Sequence, residues 1–217
     1  MVICIVPTMV FAEDARYGVW ILGEEITSSR KISQKEGWEF DPNTYTLNLR
    51  NFQMGTIGTK ISALFDKYSL FGLIYVDTGV HDLTIRLEGK ESYLGDEEFP
   101  NENCTKYKEA YYGIYAPSTN LTITGNRGAI LKIYTHENAI ECKNLTIKDS
   151  VTVEGVSQGT CIYACGDITI DGMGTIVNAR TTDIIKGQAA VSTRGKLYVG
   201  ESSRLITCSV AKSSSWE

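Results

Sequence analysis

Leu121-Thr122-Ile123, Leu145-Thr146-Ile147 and Ile168-Thr169-Ile170 are one apolar-polar-apolar pattern, recurring with periods of 24 and 23 residues. Working outward, Leu83-Thr84-Ile85 starts 38 residues before the first of them and Leu197-Tyr198-Val199 starts 29 residues after the last, spacings that leave room for insertions to bulge out. A second triplet precedes each one: Ile74-Tyr75-Val76, Ile114-Tyr115-Ala116, Ile140-Glu141-Cys142, Ile162-Tyr163-Ala164 and Val191-Ser192-Thr193. A third often follows, as in Leu131-Lys132-Ile133, Val151-Thr152-Val153 and Val177-Asn178-Ala179. Self-similarity at such a period marks a stack of like units.

Strict alternation puts every second side chain on one face of a strand. Three such strands in about 23 residues, each with one apolar face, suit a chain that winds round a core and lays each winding on the last. The fold expected is all-β, a right-handed parallel β-helix of about five coils with three short strands per coil, about 24 Å long at about 4.8 Å per strand. A leucine-rich repeat of similar period would need an Asn/Cys ladder and convex leucines, which the sequence lacks. An antiparallel sandwich would need hairpin turns between consecutive strands. In the expected register Ile114, Ile140, Ile162 and Val191 line one inner wall, and Leu121, Leu145, Ile168 and Leu197 a second.

The flanks read differently. Residues 1–12 are expected to be a signal-peptide remnant, because the apolar run from Val2 ends at Val10-x-Ala12 and Glu13-Asp14 turns acidic; a buried first strand is the alternative. Residues 13–71 are expected to cap the core. There Trp38-Glu39-Phe40 and Thr46-Leu47-Asn48-Leu49 alternate about Asp41-Pro42-Asn43, which is hairpin and type I turn chemistry, while Ile61, Leu64, Phe65 and Tyr68 recur at helical spacing. A hairpin and a short amphipathic helix would together cover the open end. Residues 72–217 carry the coils, continuous with the cap in one domain, and 91–111 is a charged insertion.

The chain of 217 residues is 42% hydrophobic and 22% charged, an ordinary globular composition, and 21 Lys and Arg against 26 Asp and Glu give a net charge of −5. That balance lacks the basic surface a nucleic-acid binder needs. After residue 12 no stretch reaches the roughly 20 apolar residues of a membrane span, so membrane insertion of the mature chain is not expected. Removing Cys4 with the signal leaves Cys104, Cys142, Cys161, Cys165 and Cys208, an odd set that makes no disulfide framework. Cys161 and Cys165 would lie about 13 Å apart in extended chain, beyond disulfide reach, and they lack the spacing of a zinc site. Buried or half-buried thiols are expected.

Tyr17-Gly18-Val19-Trp20 with Gly23 and Thr27-Ser28, Gly37-Trp38-Glu39-Phe40-Asp41-Pro42 with Thr46-Leu47-Asn48-Leu49, and the units Gly113-Ile114-Tyr115-Ala116 and Asn120-Leu121-Thr122-Ile123-Thr124-Gly125 carry a resemblance over nearly the whole mature chain. Here the sequence resembles the secreted parallel β-helix proteins of anaerobic bacteria labelled carbohydrate-binding domain proteins, whose architecture is pectate-lyase-like. The resemblance implies a secreted or cell-surface location and sugar binding without catalysis. Ser29-Arg30, where relatives tend to carry Ala-Asn, and Cys104 in its acidic insertion depart from the pattern.

With the isoleucines inward, Tyr75, Tyr115, Glu141 and Tyr163 form an outward row and are the candidate carbohydrate-binding residues. Pyranose C–H groups pack on aromatic faces while the phenol oxygen hydrogen-bonds, and a row one strand apart can follow a polysaccharide. The same rings could equally lie under loops as part of the sheet. Thr84, Thr122, Thr146 and Thr169 form a second outward row whose reading is structural, as is that of Asn120, Asn144 and Asp167, short polar residues expected to bond their own backbone at a turn. In the insertion Glu91, Asp96, Glu97, Glu98, Glu102 and Glu109 could attract calcium, but no D-x-D-x-D-G motif occurs, and no cofactor is expected. For catalysis, Asp167 and Asp171 are about 13 Å apart by strand rise, too far for a glycosidase pair, although Glu141 could approach either. His81 and His136 lack a nearby nucleophile elbow. The expectation is a non-catalytic, monomeric, secreted or surface module that binds polysaccharide. The alternatives are a structural or adhesion stalk contacting protein, and a polysaccharide lyase or hydrolase.

Overall fold

In the triplets that set the repeat, the first and third residues turn inward. Leu121, Ile123, Leu145, Ile147, Ile168 and Ile170 are each at most 1% exposed, and the threonines between them are half-buried on the other face. The computed structural model describes residues 13–21, 23–54, 59–61, 70–95, 111–182 and 188–209. These residues are all-β, with no helix among them, and their strands pair mostly in parallel.

The first strands are β1 (Arg16–Ile21), β2 (Glu24–Thr27), β3 (Ile32–Ser33), β4 (Trp38–Asp41), β5 (Thr46–Leu49), β6 (Gln53–Met54) and β7 (Thr59–Ile61). The repeat supplies β8 (Leu70–Val76), β9 (Asp82–Leu87), β10 (Glu91–Leu94), β11 (Tyr111–Gly125), β12 (Ile130–Thr135), β13 (Ile140–Ile147) and β14 (Thr152–Ser157). It continues with β15 (Ile162–Ala164), β16 (Ile168–Ile170), β17 (Ile176–Thr181), β18 (Val191–Thr193), β19 (Leu197–Val199) and β20 (Arg204–Ser209).

Pairing sorts the repeat into three columns. The first holds β8, the early part of β11, the early part of β13, β15 and β18; the second holds β9, the later parts of β11 and β13, β16 and β19. The third is a 6-stranded, wholly parallel sheet in the order β20-β17-β14-β12-β10-β6. The chain visits first, second and third column in turn and then returns to the first. Because β11 and β13 run through two columns, with a register shift between Ala116 and Asn120, the first two columns merge into one 14-stranded sheet.

Like pairs with like. Leu83, Leu121, Leu145, Ile168 and Leu197 are successive partners in the second column, and Ile74, Ile114, Ile140, Ile162 and Val191 in the first. In the third column Val153, not Val151, stands level with Leu131; a slip of two residues equals the side-chain period of a strand, so both valines stay buried. At the corner before the first column two consecutive residues face inward, as in Leu73-Ile74, Ala139-Ile140 and Cys161-Ile162. Gly113 takes the first of these places before Ile114, because a Cβ there would run into Ile133 Cγ2 and the Ala139 carbonyl oxygen.

The amino-terminal strands extend each column by one rung. β1 lies antiparallel on β8, β5 parallel on β9 and β6 parallel on β10. β4 and β5 form the expected hairpin, its turn held by Asp41, which accepts from the Asn43 amide at 2.9 Å and the Thr44 hydroxyl at 2.8 Å. Phe40 packs between Tyr17 and Tyr45 at centroid distances of 5.4 and 5.6 Å, and with Leu47, Leu49 and Phe52 it is almost fully buried. Of the expected helix, Ile61 instead closes β7, a strand antiparallel to β8, while Leu64, Phe65 and Tyr68 lie outside the described residues. Outside them too are residues 1–12, read as a signal remnant, Cys104, and 96–110 of the charged insertion. Its first residues are not an insertion, since Glu91–Leu94 is β10; Ser92 at the inward position masked the alternation.

The other end is less covered. Among the described residues β18, β19 and β20 have a paired neighbour on one side only. Leu197 sits opposite Ile168 as expected, yet it is 46% exposed and does not line a buried wall; Val199 is exposed as well, and Val191 is half-buried. The thiols divide similarly, with Cys142 and Cys161 buried and, against expectation, Cys165 and Cys208 exposed.

Asn120, Asn144 and Asp167 bond each other rather than their own turns. Asn120 Nδ2 donates to Asp82 Oδ1 at 2.9 Å, Asn144 Nδ2 to Asn120 Oδ1 at 2.8 Å, the Asp167 amide to Asn144 Oδ1 at 2.8 Å and the Lys196 amide to Asp167 Oδ1 at 2.7 Å. The ladder needs bare backbone beside it, and a Cβ on Gly166 or Gly195 would strike the Asn144 or Asp167 side-chain oxygen.

Position along the stack should therefore decide what a truncation costs. Ile140→Ala, at a site with no exposure, is expected to lower stability by about 2 to 5 kcal/mol, and Ile140→Asp to abolish folding. Leu197→Ala should cost less than about 1 kcal/mol. Urea unfolding of the variants measures this, and equal losses at 140 and 197 would contradict the difference between the two positions.

Candidate functional site

The outward positions of the first column make one continuous row. Tyr75 pairs with Tyr115, Tyr115 with Glu141, Glu141 with Tyr163 and Tyr163 with Ser192, each on the next strand. Inward isoleucines at the preceding positions fix this orientation, since successive side chains on a strand point to opposite faces. All four candidates are thus brought onto one line, and all are half-buried.

The row is longer than the sequence suggested. β1 places Trp20 opposite Tyr75, with ring centroids 5.0 Å apart and planes tilted by 54°. Tyr75 and Tyr115 follow at 6.2 Å with planes within 12° of parallel. Tyr112 leans on Tyr115 at 4.7 Å and 56°, forming a V of two rings. Simple alternation hid Tyr112, because counting back from Ile114 turns it inward; the doubled inward pair Gly113-Ile114 at the corner reverses that. A small residue immediately before four of the five column-one aliphatics, Gly113, Ala139, Cys161 and Ala190, was the available signal. Trp20 carried none, since its pairing joins residues far apart in the chain and antiparallel.

Glu141 sits one strand from Tyr115 and beside this V. Its Oε2 accepts from Asn138 Nδ2 at 2.8 Å, and among the described residues no Lys or Arg forms an ion pair with it. Burial raises its pKa above the ordinary 4.5, the Asn138 hydrogen bond opposes the rise, and repulsion from Glu137 adds to it. The field is mutual: burial first, and then the Glu141 charge, push the Tyr112 and Tyr115 phenols upward. Tyr163 lies two strands beyond Tyr115, about 10 Å by strand spacing, and accepts a long contact from the exposed Cys165 thiol at 3.9 Å. Arg194 acts on Tyr163.

The remaining candidates go elsewhere. Asp167 belongs to the ladder, and Asp171 accepts from the next amide, Gly172, at 2.7 Å, so neither comes to Glu141 as a catalytic partner. Glu91 is held by Lys132 at 2.6 Å and by the Tyr93 hydroxyl at 2.6 Å on the outside of the third column. Among the described residues no three His, Cys, Asp or Glu side chains gather in a way that could hold a metal. His136 is half-buried and 3.4 Å from Gln158; His81 is exposed.

A separate concavity of about 450 Å³ lies over β3, β4, β5 and the end of β9, with Glu39, Asn48 and the Arg50–Glu88 ion pair, 2.6 Å long, among its walls. Arg30 stacks 5.2 Å above Trp38 on its border. It offers hydrogen-bond donors and acceptors on an open surface, and no sequence pattern pointed to it because the hairpin and β9 meet only through the fold.

The raised pKa fixes how Glu141 affects stability. In the unfolded chain the carboxyl titrates near 4.5, whereas the native state holds the proton to higher pH, so native stability falls as pH rises through that interval. Glu141→Gln keeps an acceptor for Asn138 and cannot ionise. Its stability relative to the parent is expected to increase between about pH 3.5 and about pH 7, measured by denaturant unfolding at each pH. A difference that stays flat would place the carboxyl at its ordinary acidity.

Comparison with known protein families, with curated proteins and with solved structures finds no match for this chain.

Proposed function

We propose that the chain is a right-handed parallel β-helix, secreted or displayed at a cell surface, that binds polysaccharide without cleaving it along the row Trp20, Tyr75, Tyr115, Glu141 and Tyr163. The observation that carries this reading is the register, which lines up side chains from distant parts of the chain at one per strand, four of the five aromatic. Five visits to the same columns in the same order, with like residues paired, support the coil; the β-helix is the simplest path that joins them. Aromatic and hydroxyl groups repeated every 5 to 10 Å or so suit a polymer of sugar rings better than a single small ligand. Half-burial of the rings favours contact through their edges and hydroxyls as well as their faces.

A hydrolytic reading has one observation in its favour, the coupling of Glu141 to Glu137. A pair of carboxyls near one another is what glycoside hydrolysis requires. New reducing ends on incubation with xylan, pectin or glucan, lost in Glu141→Gln, would establish it; none are expected.

For binding, the Tyr115→Ala, Tyr163→Ala double variant is expected to keep its cooperative unfolding and to lose retention on an insoluble polysaccharide column, with little dependence on salt for neutral polymers. Unchanged retention would return these tyrosines to a purely structural role.

A further inference from the structure

Glu141 is a half-buried carboxylate set among phenol rings. One oxygen is occupied by Asn138 at 2.8 Å, and among the described residues no cationic side chain pairs with it. The phenols of Tyr112 and Tyr115 both feel the Glu141 charge. Among the described residues, Asp77 near Tyr75, also negative, and Arg194 near Tyr163, at the far end, act on the row as well. The middle of the row is therefore electronegative. Its rings add to this, because an aromatic face attracts a cation, most strongly where water is displaced.

A neutral sugar would leave that charge unanswered, and a uronic acid would be repelled by it. A protonated amine answers it twice, by a charge-assisted hydrogen bond to the carboxylate and by contact with the rings of the Tyr112–Tyr115 V, whose centroids are 4.7 Å apart. The flanking Tyr75, one strand before Tyr115, and Tyr163, one strand after Glu141, are then placed to carry the neighbouring sugar units. We infer that the ligand is an amino-sugar polymer bearing free ammonium groups, with Glu141 and the Tyr112–Tyr115 pair as the residues that select it. This inference rests on the row being a glycan site.

The probes are oligomers of equal length built from glucosamine, N-acetylglucosamine and glucose, titrated calorimetrically at about pH 6, where most of the amines are charged. The glucosamine oligomer is expected to bind about tenfold more tightly than the other two, and that ratio should shrink as salt rises from about 50 to 500 mM. In Glu141→Gln the ratio should fall to near one. A ratio near one in the parent, or one that survives both salt and Glu141→Gln, overturns the selection of ammonium while leaving the glycan site standing. Equal displacement by an oligolysine of the same charge also overturns it, since sugar contacts would then contribute nothing. Binding of none of the three oligomers overturns the glycan reading itself. Should Glu141→Gln fail to fold, the salt series on the parent chain still decides the outcome.

Discussion

Parallel pairing in register, with each residue opposite its own counterpart one repeat away, is the constraint on which the rest of this molecule depends. A strand shows alternate faces, so a slip of one residue would send every inward leucine and isoleucine of a column to solvent and bring tyrosine and threonine into the core. The apolar contacts thus specify the register, and the register specifies the outside. Ile114 on Ile140 on Ile162 is what places Tyr115, Glu141 and Tyr163 in line. The outer row inherits its spacing from the core and has no freedom to choose another, which is the condition for a rigid recognition surface.

Much of this was legible because repeats convert sequence alignment into spatial contact. Aligning Leu121 with Leu145 and Ile168 gives the hydrogen-bonding partners directly. Legibility failed where a local rule met a tertiary one. At the corner two inward residues in succession broke the alternation and concealed Tyr112. Ser92 at a buried position made β10 look like the start of a loop. Asn120 and Asn144 carried turn chemistry, but the stack offered them better partners in one another. Trp20 joined the row through an antiparallel edge strand that no period announces, and the concavity beside Arg50 and Glu88 exists only once the hairpin has docked on β9.

The site combines two costs that the scaffold is suited to bear. Half-burying Glu141 disfavours its charge, and burial together with that charge holds the Tyr112 and Tyr115 phenols in their protonated form. A loop would relax away from such a strain by moving the carboxylate outward. Here the backbone on both sides of Glu141 is fixed by parallel partners, Tyr115 on one side and Tyr163 on the other, so the half-buried carboxyl is held in its place in the row.

The amide ladder has a sense of direction. Each rung donates toward the earlier strand: the Lys196 amide to Asp167, the Asp167 amide to Asn144, Asn144 to Asn120 and Asn120 to Asp82. From the Asp167 amide through the Asn144 and Asn120 side chains to the Asp82 carboxylate the bonds run head to tail and polarise one another, with the Lys196 amide adding a link of the same sense on the Asp167 carboxylate. In a protein whose sheets are built from near-identical rungs, this gives the long axis a polarity that the apolar core lacks. A rung inserted upside down would satisfy the leucines and still break the current of donors, so the ladder reads orientation where the core reads only depth.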